Sequence, residues 1–160
     1  MKFNYYAFRA MYFHEMDRFK RTLMQSLFSP VLSTSLYFIV FGSVIGGYVE
    51  KIDGISYGSF IVPGLLMLTL LTQSISNTSF GIFFPKFNGT MYEILAAPIS
   101  TFEIVLAFVG AGATKTLIVG VVIFITSTFF VEVSVMYPFL MIFLLVLVAF
   151  TFALFGFLIG

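Results

Sequence analysis

Three stretches of this chain contain no Asp, Glu, Lys or Arg: residues 22–49, 54–85 and 133–160, of 28, 32 and 28 residues. In a fourth stretch, residues 104–131, Lys115 is the single interruption. About 20 apolar residues in helical form cross the hydrocarbon core of a bilayer. Each stretch is therefore long enough for one crossing and too short for two. Helix is the conformation required, because lipid cannot satisfy exposed backbone N–H and C=O groups. The charge pattern predicts spans near residues 28–47, 60–83, 104–130 and 139–159.

Composition agrees and removes other classes. Hydrophobic side chains make up 60% of the chain and charged ones 9%, where soluble domains carry about 25% charge. Eight Lys+Arg against seven Asp+Glu give a net charge of +1, so there is no basic surface to hold nucleic acid. The sequence has no cysteine for a disulfide, a thiol nucleophile or a thiolate-bound metal, and His14 is its one histidine. No paired carboxylates share a face and no Ser-His-Asp set is present. The reading is a non-enzymatic chain with no catalytic residues, cofactor or metal of its own. Tryptophan is absent, so tyrosine must supply any interfacial belt.

The basic residues set the expected orientation. Lys2, Arg9, Arg18, Lys20 and Arg21 precede the first span, Lys51 lies in the first loop and Lys86 in the second. With the N-terminus in the cytoplasm the count is six inside against one outside, leaving Lys115 aside as intramembrane. The segment before the first span is no signal peptide, which would pass directly from a short basic start into an apolar run. Tyr5, Phe8, Tyr12, Met16, Phe19 and Leu23 recur at steps of three and four. Arg9, Asp17, Lys20 and Arg21 lie off that stripe, with Asp17 placed to pair with Arg21. Residues 4–22 thus read as an amphipathic helix. It either lies in the membrane interface or packs its stripe on other helices of the chain, and the two are compatible.

The loops are short, apart from the inside connection at residues 84–103. There Thr90 and Glu93 have capping-box spacing, Pro98 ends the helix after about two turns, and Ser100 with Glu103 opens the next span. The expectation is a short helix between two proline breaks, Pro85 and Pro98. Antiparallel helices are usually joined by only 2–8 residues. A longer, structured connection exposing Tyr92 and Leu95 points to contact with another protein.

The string Gly89-Thr90-x-x-Glu93-x-Leu95-x-x-Pro98-Ile99-Ser100 resembles the coupling-helix segment of ABC-2 type transporter permeases. Phe60-Ile61-Val62-Pro63-Gly64-Leu65 is similar to the opening of their second span, and Tyr37-Phe38-Ile39-Val40-Phe41-Gly42 to their first. The resemblance to the YadH-like subgroup of these permeases covers essentially the whole chain, the amphipathic N-terminal helix included. It implies an all-α membrane domain of six helices, of which this chain holds the first four. It also implies a homodimer or a second permease chain, and a separate ATP-binding cassette ATPase subunit that docks on the short inside helix. Gly89, Thr90, Tyr92, Glu93, Leu95 and Pro98 would sit at that contact. The setting implied is a bacterial plasma (inner) membrane. Phe87 and Asn88 stand where many members have an Arg-Glu pair, so no salt bridge is carried over there. The chain reaches Gly160 inside an apolar run, as a fragment of a longer reading frame would.

Other features carry less. Gly110-Ala-Gly112-Ala-Thr114-Lys115-Thr116 imitates a P-loop, but that motif needs Gly at 109 and 114, where this chain has Val and Thr. ATP must therefore be handled by a partner. Lys115 costs about 2.5–3.5 kcal/mol at a helix centre. It either faces the bundle interior, on a substrate path, or reaches back to the headgroups, and the second is the simpler expectation. Gln73, Ser74, Ser76, Asn77, Thr78 and Ser79 make the inner half of the second span polar. They should face a cavity or other helices, with Gln73, Asn77 and Lys115 as candidates for a translocation path. Gly42/Gly46, Ala149/Ala153 and Gly156/Gly160 have small-xxx-small spacing and read as packing within the chain. Pro30 and Pro63 suggest kinks or first-turn positions.

The expected function is the transmembrane subunit of an ATP-driven exporter of a hydrophobic, lipid-linked or glycan substrate. A non-transport membrane scaffold is the alternative. An ion-coupled carrier is disfavoured because the spans hold one central charge and no acidic coupling residue.

Overall fold

A computed structural model describes residues 3–45, 57–131 and 136–160, with side chains at 42–45 excepted. All regular structure among these residues is helical. The elements are α1 (Tyr5–Arg21), α2 (Leu23–Tyr37) continued by a π-helical segment (Phe38–Ile45), α3 (Tyr57–Phe87), α4 (Thr90–Ala96), α5 (Thr101–Phe130) and α6 (Pro138–Ile159). Four helical stretches are long and apolar enough to cross a membrane: Leu23–Phe41, Tyr57–Phe87, Thr101–Phe130 and Pro138–Ile159. They correspond to the four expected spans. The first begins earlier than residue 28, and Gly46 and Gly47 lie outside the described residues.

Local chemistry explains the helix ends. Asn4 caps α1, its Oδ1 accepting from the Ala7 amide at 3.3 Å. At α5 the expected capping box is complete: the Ser100 hydroxyl accepts from the Glu103 amide and Glu103 Oε2 accepts from the Ser100 amide at 2.9 Å. Pro138 opens α6, where its missing N–H leaves no intrahelical bond unmade. Pro30 and Pro63 are instead inside α2 and α3, so neither takes a first-turn position. Pro85 does not break α3 either, since the helix continues to Phe87.

The break falls at Gly89, whose φ of 79° lies in the left-handed region, where a residue without Cβ is least strained. Gly89 is also the N-cap of α4, and no side chain caps that helix. Thr90 is thus the first helical residue, not the cap, and the expected Thr90–Glu93 box does not form.

α5 is the central helix. Val109 and Ala113 meet Ala149 and Ala153 of α6 in a buried cluster flanked by Val105, Leu117 and Phe157. The two alanines of α6 have no exposure, which lets its backbone approach closely. Further along, a Cβ added at Gly156 would lie 2.5 Å from the Ile75 carbonyl oxygen, and one at Gly160 would lie 2.5 Å from that of Ser79. The Ala149/Ala153 and Gly156/Gly160 pairs therefore pack within the chain, against α5 and α3, as expected. Ser74 strengthens the α3–α6 contact by donating to the Ala149 carbonyl at 2.6 Å. On the outer faces, Phe139, Phe143, Phe155 and Leu158 of α6 and Phe60 and Leu68 of α3 are exposed, a surface suited to lipid.

α1 runs beside α5. The Asn4 amide donates to Glu103 Oε1, the Tyr12 hydroxyl donates to Thr114 Oγ1 at 2.9 Å, and Lys115 Nζ donates to Glu15 Oε2 at 2.8 Å. These contacts fall in the same order along both helices, so the two run in the same direction. Phe19 is buried, and Met11 packs on Ile82, Ile104 and Phe108. Tyr5, at the start of the stripe, stays exposed. Much of the α1 stripe is thus spent on the chain's own helices.

Candidate functional site

Two features lie along α5, one at the end of the bundle where α3 passes through α4 into α5 and one midway along that helix. The first is α4 itself. Ile94 turns inward and, with Ile99, packs against the cluster of Ile82, Ile104 and Phe108. One apolar anchor thus seats a two-turn helix on both long helices it connects. The remaining surface is open. Tyr92 is 78% exposed and Leu95 59%, and Thr90, Glu93 and Pro98 are exposed beside them. Gly89 is half-buried and sets the turn that aims this face outward. All six residues singled out on this segment lie together, at or beside one short helix.

The second feature is a charge cluster between α1 and α5. Lys115 has only 4% exposure and Glu15 also 4%. Arg18 Nη2 reaches the same Glu15 oxygen at 2.9 Å. Two cations therefore share one carboxylate, which leaves the cluster with an excess of positive charge. The expectation that Lys115 reaches the headgroups is overturned. It sits about 21 Å from the start of α5 at 1.5 Å per residue, and its ammonium is satisfied by Glu15 within the protein. A lone buried ammonium would be far costlier than one paired and hydrogen-bonded.

Sequence reasoning passed over Glu15, although a signal was there. It stands three residues after Tyr12 and four before Phe19, on the apolar stripe, where an unpaired carboxylate would be costly. An intramembrane lysine elsewhere in the chain was the partner to look for. Asp17, on the other face of α1, pairs with Lys20 at 2.9 Å instead of with Arg21. The Lys20 hydrogen bond and charge hold the exposed Asp17 carboxyl below its usual pKa.

A cavity of about 740 Å³ opens against this cluster. Arg18 and His14 line it from α1, Gln25 and Ser26 from α2, Ser76, Asn77, Phe80 and Phe84 from α3, and Lys115 from α5. The Arg18 guanidinium lies 6.0 Å from the centre of the Phe84 ring. Asn77 Nδ2 is buried with no hydrogen-bond partner among the described residues. Asn77 and Lys115 are thus brought to one cavity. Gln73 does not line it and is half-buried higher on α3. Of the other polar residues of α3, Ser74 and Thr78 are buried against neighbouring helices, and Thr78 abuts Gly112 of α5. Among the described residues no group of His, Cys, Asp and Glu side chains could hold a metal ion.

Comparison with known proteins places this architecture. Residues 6–160 match the family model described as ABC-2 type transporter. The chain is similar to the inner membrane transport permease YadH of Escherichia coli (strain K12), 38% identical over 154 residues that cover 96% of this chain and 60% of the relative. The YadH proteins of Escherichia coli O157:H7 and Shigella flexneri match at the same identity of 38% and the same coverage. The chain thus spans about 60% of the length of these relatives. No solved structure shows a significant match to it. With four apolar helices long enough to span a bilayer and a family match over nearly its whole length, the chain belongs to the ABC-2 type transporter family.

Proposed function

We propose that the chain is part of the transmembrane subunit of an ATP-driven exporter in a bacterial inner membrane. In this reading the N-terminus and α4 face the cytoplasm, and two permease chains, identical or different, work with separate ATP-binding subunits. The observation that carries it is the geometry of α4. Its inward Ile94 holds it to α3 and α5, while Tyr92, Glu93 and Leu95 are left exposed. A partner pressing on that face would act directly on both long helices through one rigid anchor. The substrate class is hydrophobic, lipid-linked or glycan, and Asn77 and Lys115 belong to its path through the cavity they line.

The test is coexpression of the full-length permease with its ATP-binding subunit, followed by copurification and ATP turnover. Leu95→Asp and Glu93→Ala should weaken copurification and lower turnover while the permease still reaches the membrane. An intact permease that never retains an ATPase would sink the proposal. Normal transport by an Asn77→Leu variant would remove the cavity from the path without touching the role of α4.

A further inference from the structure

The cavity beside the Glu15–Lys115 pair is unusual in what it displays. The side chains around it supply hydrogen-bond donors from Arg18, Lys115, His14 and Asn77, and among the described residues its lining contains no carboxylate. Glu15 is already engaged, because both Lys115 Nζ and Arg18 Nη2 bond to its Oε2. One positive charge is therefore left over beside the buried Lys115–Glu15 pair, with the Arg18 side chain 36% exposed. Asn77 adds a buried N–H donor with no partner among the described residues. A buried donor left unmade is costly, so native structures normally give it an acceptor. Excess positive charge, and an unpartnered buried donor on a residue that lines the same cavity, together call for an anionic acceptor with several oxygens.

Phosphate fits that description, with a negative charge and oxygens that accept charge-assisted bonds from guanidinium and ammonium. The aromatic wall indicates how such a group could be carried. Phe80 and Phe84 line the cavity with 58% and 48% exposure, so the polar donors stand beside an apolar wall. We propose that this cavity is a phosphate-binding site that receives the phosphoryl group of a membrane lipid or a free phosphate. Arg18 and Asn77 are its principal donors, and Lys115 is held in place by Glu15. This assignment rests on the cavity and not on the transport reading: a protein that binds phosphate but never holds an ATPase would keep this site and lose that function.

The experiment uses the full-length permease purified in a neutral detergent, with thermal unfolding as the readout. The protein is titrated with dioleoyl phosphatidic acid, with dioleoylglycerol (the same chains without phosphate) and with inorganic phosphate. Stabilisation by phosphatidic acid well beyond that by dioleoylglycerol is expected. A response to phosphatidic acid alone identifies a lipid-borne phosphate, and an equal response to inorganic phosphate identifies a free one. Either supports the site. Arg18→Gln leaves the Lys115–Glu15 pair intact and should weaken apparent affinity on the order of tenfold, the loss of one charge-assisted bond. Asn77→Leu removes the unpartnered donor, so it should fold at least as well as the parent and still bind more weakly. Equal responses to phosphatidic acid and dioleoylglycerol with none to inorganic phosphate would overturn the proposal. So would undiminished phosphate-dependent stabilisation in both variants.

Discussion

Lys115 Nζ lies 2.8 Å from Glu15 Oε2 with both side chains buried, and the contact joins α1 to the middle of α5. The geometry makes the two partners unequal. Glu15 also holds Arg18, whereas Glu15 is the one side chain bonded to the Lys115 ammonium among the described residues.

That inequality predicts an order of effects. Glu15→Ala strands a buried ammonium and should cost about 3–5 kcal/mol, the usual penalty for removing one partner of a buried pair. Lys115→Met leaves Glu15 with Arg18 and should cost clearly less. The double variant should recover much of the Glu15→Ala loss, because the charge left without a partner is then that of Arg18, which is 36% exposed and reaches water. Unfolding of the purified full-length protein in mixed micelles measures all three, and a Lys115→Met loss larger than that of Glu15→Ala would contradict the assignment.

On α4, neighbouring residues should behave oppositely. Ile94→Ala removes the anchor against Ile82, Ile104 and Phe108 and should destabilise by about 1–2 kcal/mol, below the ~2–5 kcal/mol of fully buried sites because this one is only partly buried. Leu95→Asp alters an exposed position and should leave stability within about 0.5 kcal/mol of the parent. The same unfolding measurement separates them. Equal losses at the two positions would mean that α4 is seated differently.

Gly89 should resist substitution for reasons of backbone alone. An added Cβ meets nothing within 4 Å, yet φ is 79°. Gly89→Ala should therefore cost about 1–2 kcal/mol from the left-handed conformation, and Gly89→Asn less, since asparagine visits that region more readily. Comparing the unfolding midpoints of the two variants checks this, with Ala as stable as Gly being the contrary result.

Two further glycines test close packing. A Cβ at Gly156 runs into the backbone of Ile75, while one at Gly64 meets nothing within 4 Å. Gly156→Val should lose roughly 1–3 kcal/mol through overpacking, and Gly64→Ala should be neutral or stabilising by up to about 1 kcal/mol. Thermal unfolding of the pair in detergent decides it. A Gly156→Val protein as stable as the parent would show that α3 and α6 can separate at no cost.

Much of this architecture could be read before any coordinates. The Ser100–Glu103 box formed because both partners lie within one helical turn, so its geometry is local. The Thr90–Glu93 box had the same spacing and failed, since Gly89 could take the left-handed conformation and become the cap itself. Pro85 looked like a stop but lies inside α3. A proline removes one hydrogen bond and need not end a helix at once, and α3 runs only two residues beyond Pro85.

The sequence by itself determined the four helices that are long and apolar enough to cross a membrane among the described residues, the short helix after the second long one and the small residues at the α3–α6 and α5–α6 contacts. Each follows from charge-free length, capping chemistry or spacing along one element, which are properties of neighbours in the chain. Only the tertiary structure decided that Lys115 is bound inside the protein, that Glu15 is its partner and that Arg18, Asn77 and Lys115 share a cavity while Gln73 does not. Those facts depend on how α1, α3 and α5 pack together. The pairing of Lys115 with Glu15 joins residues 100 positions apart, and the energetic need to neutralise a buried charge names the type of partner but not its place.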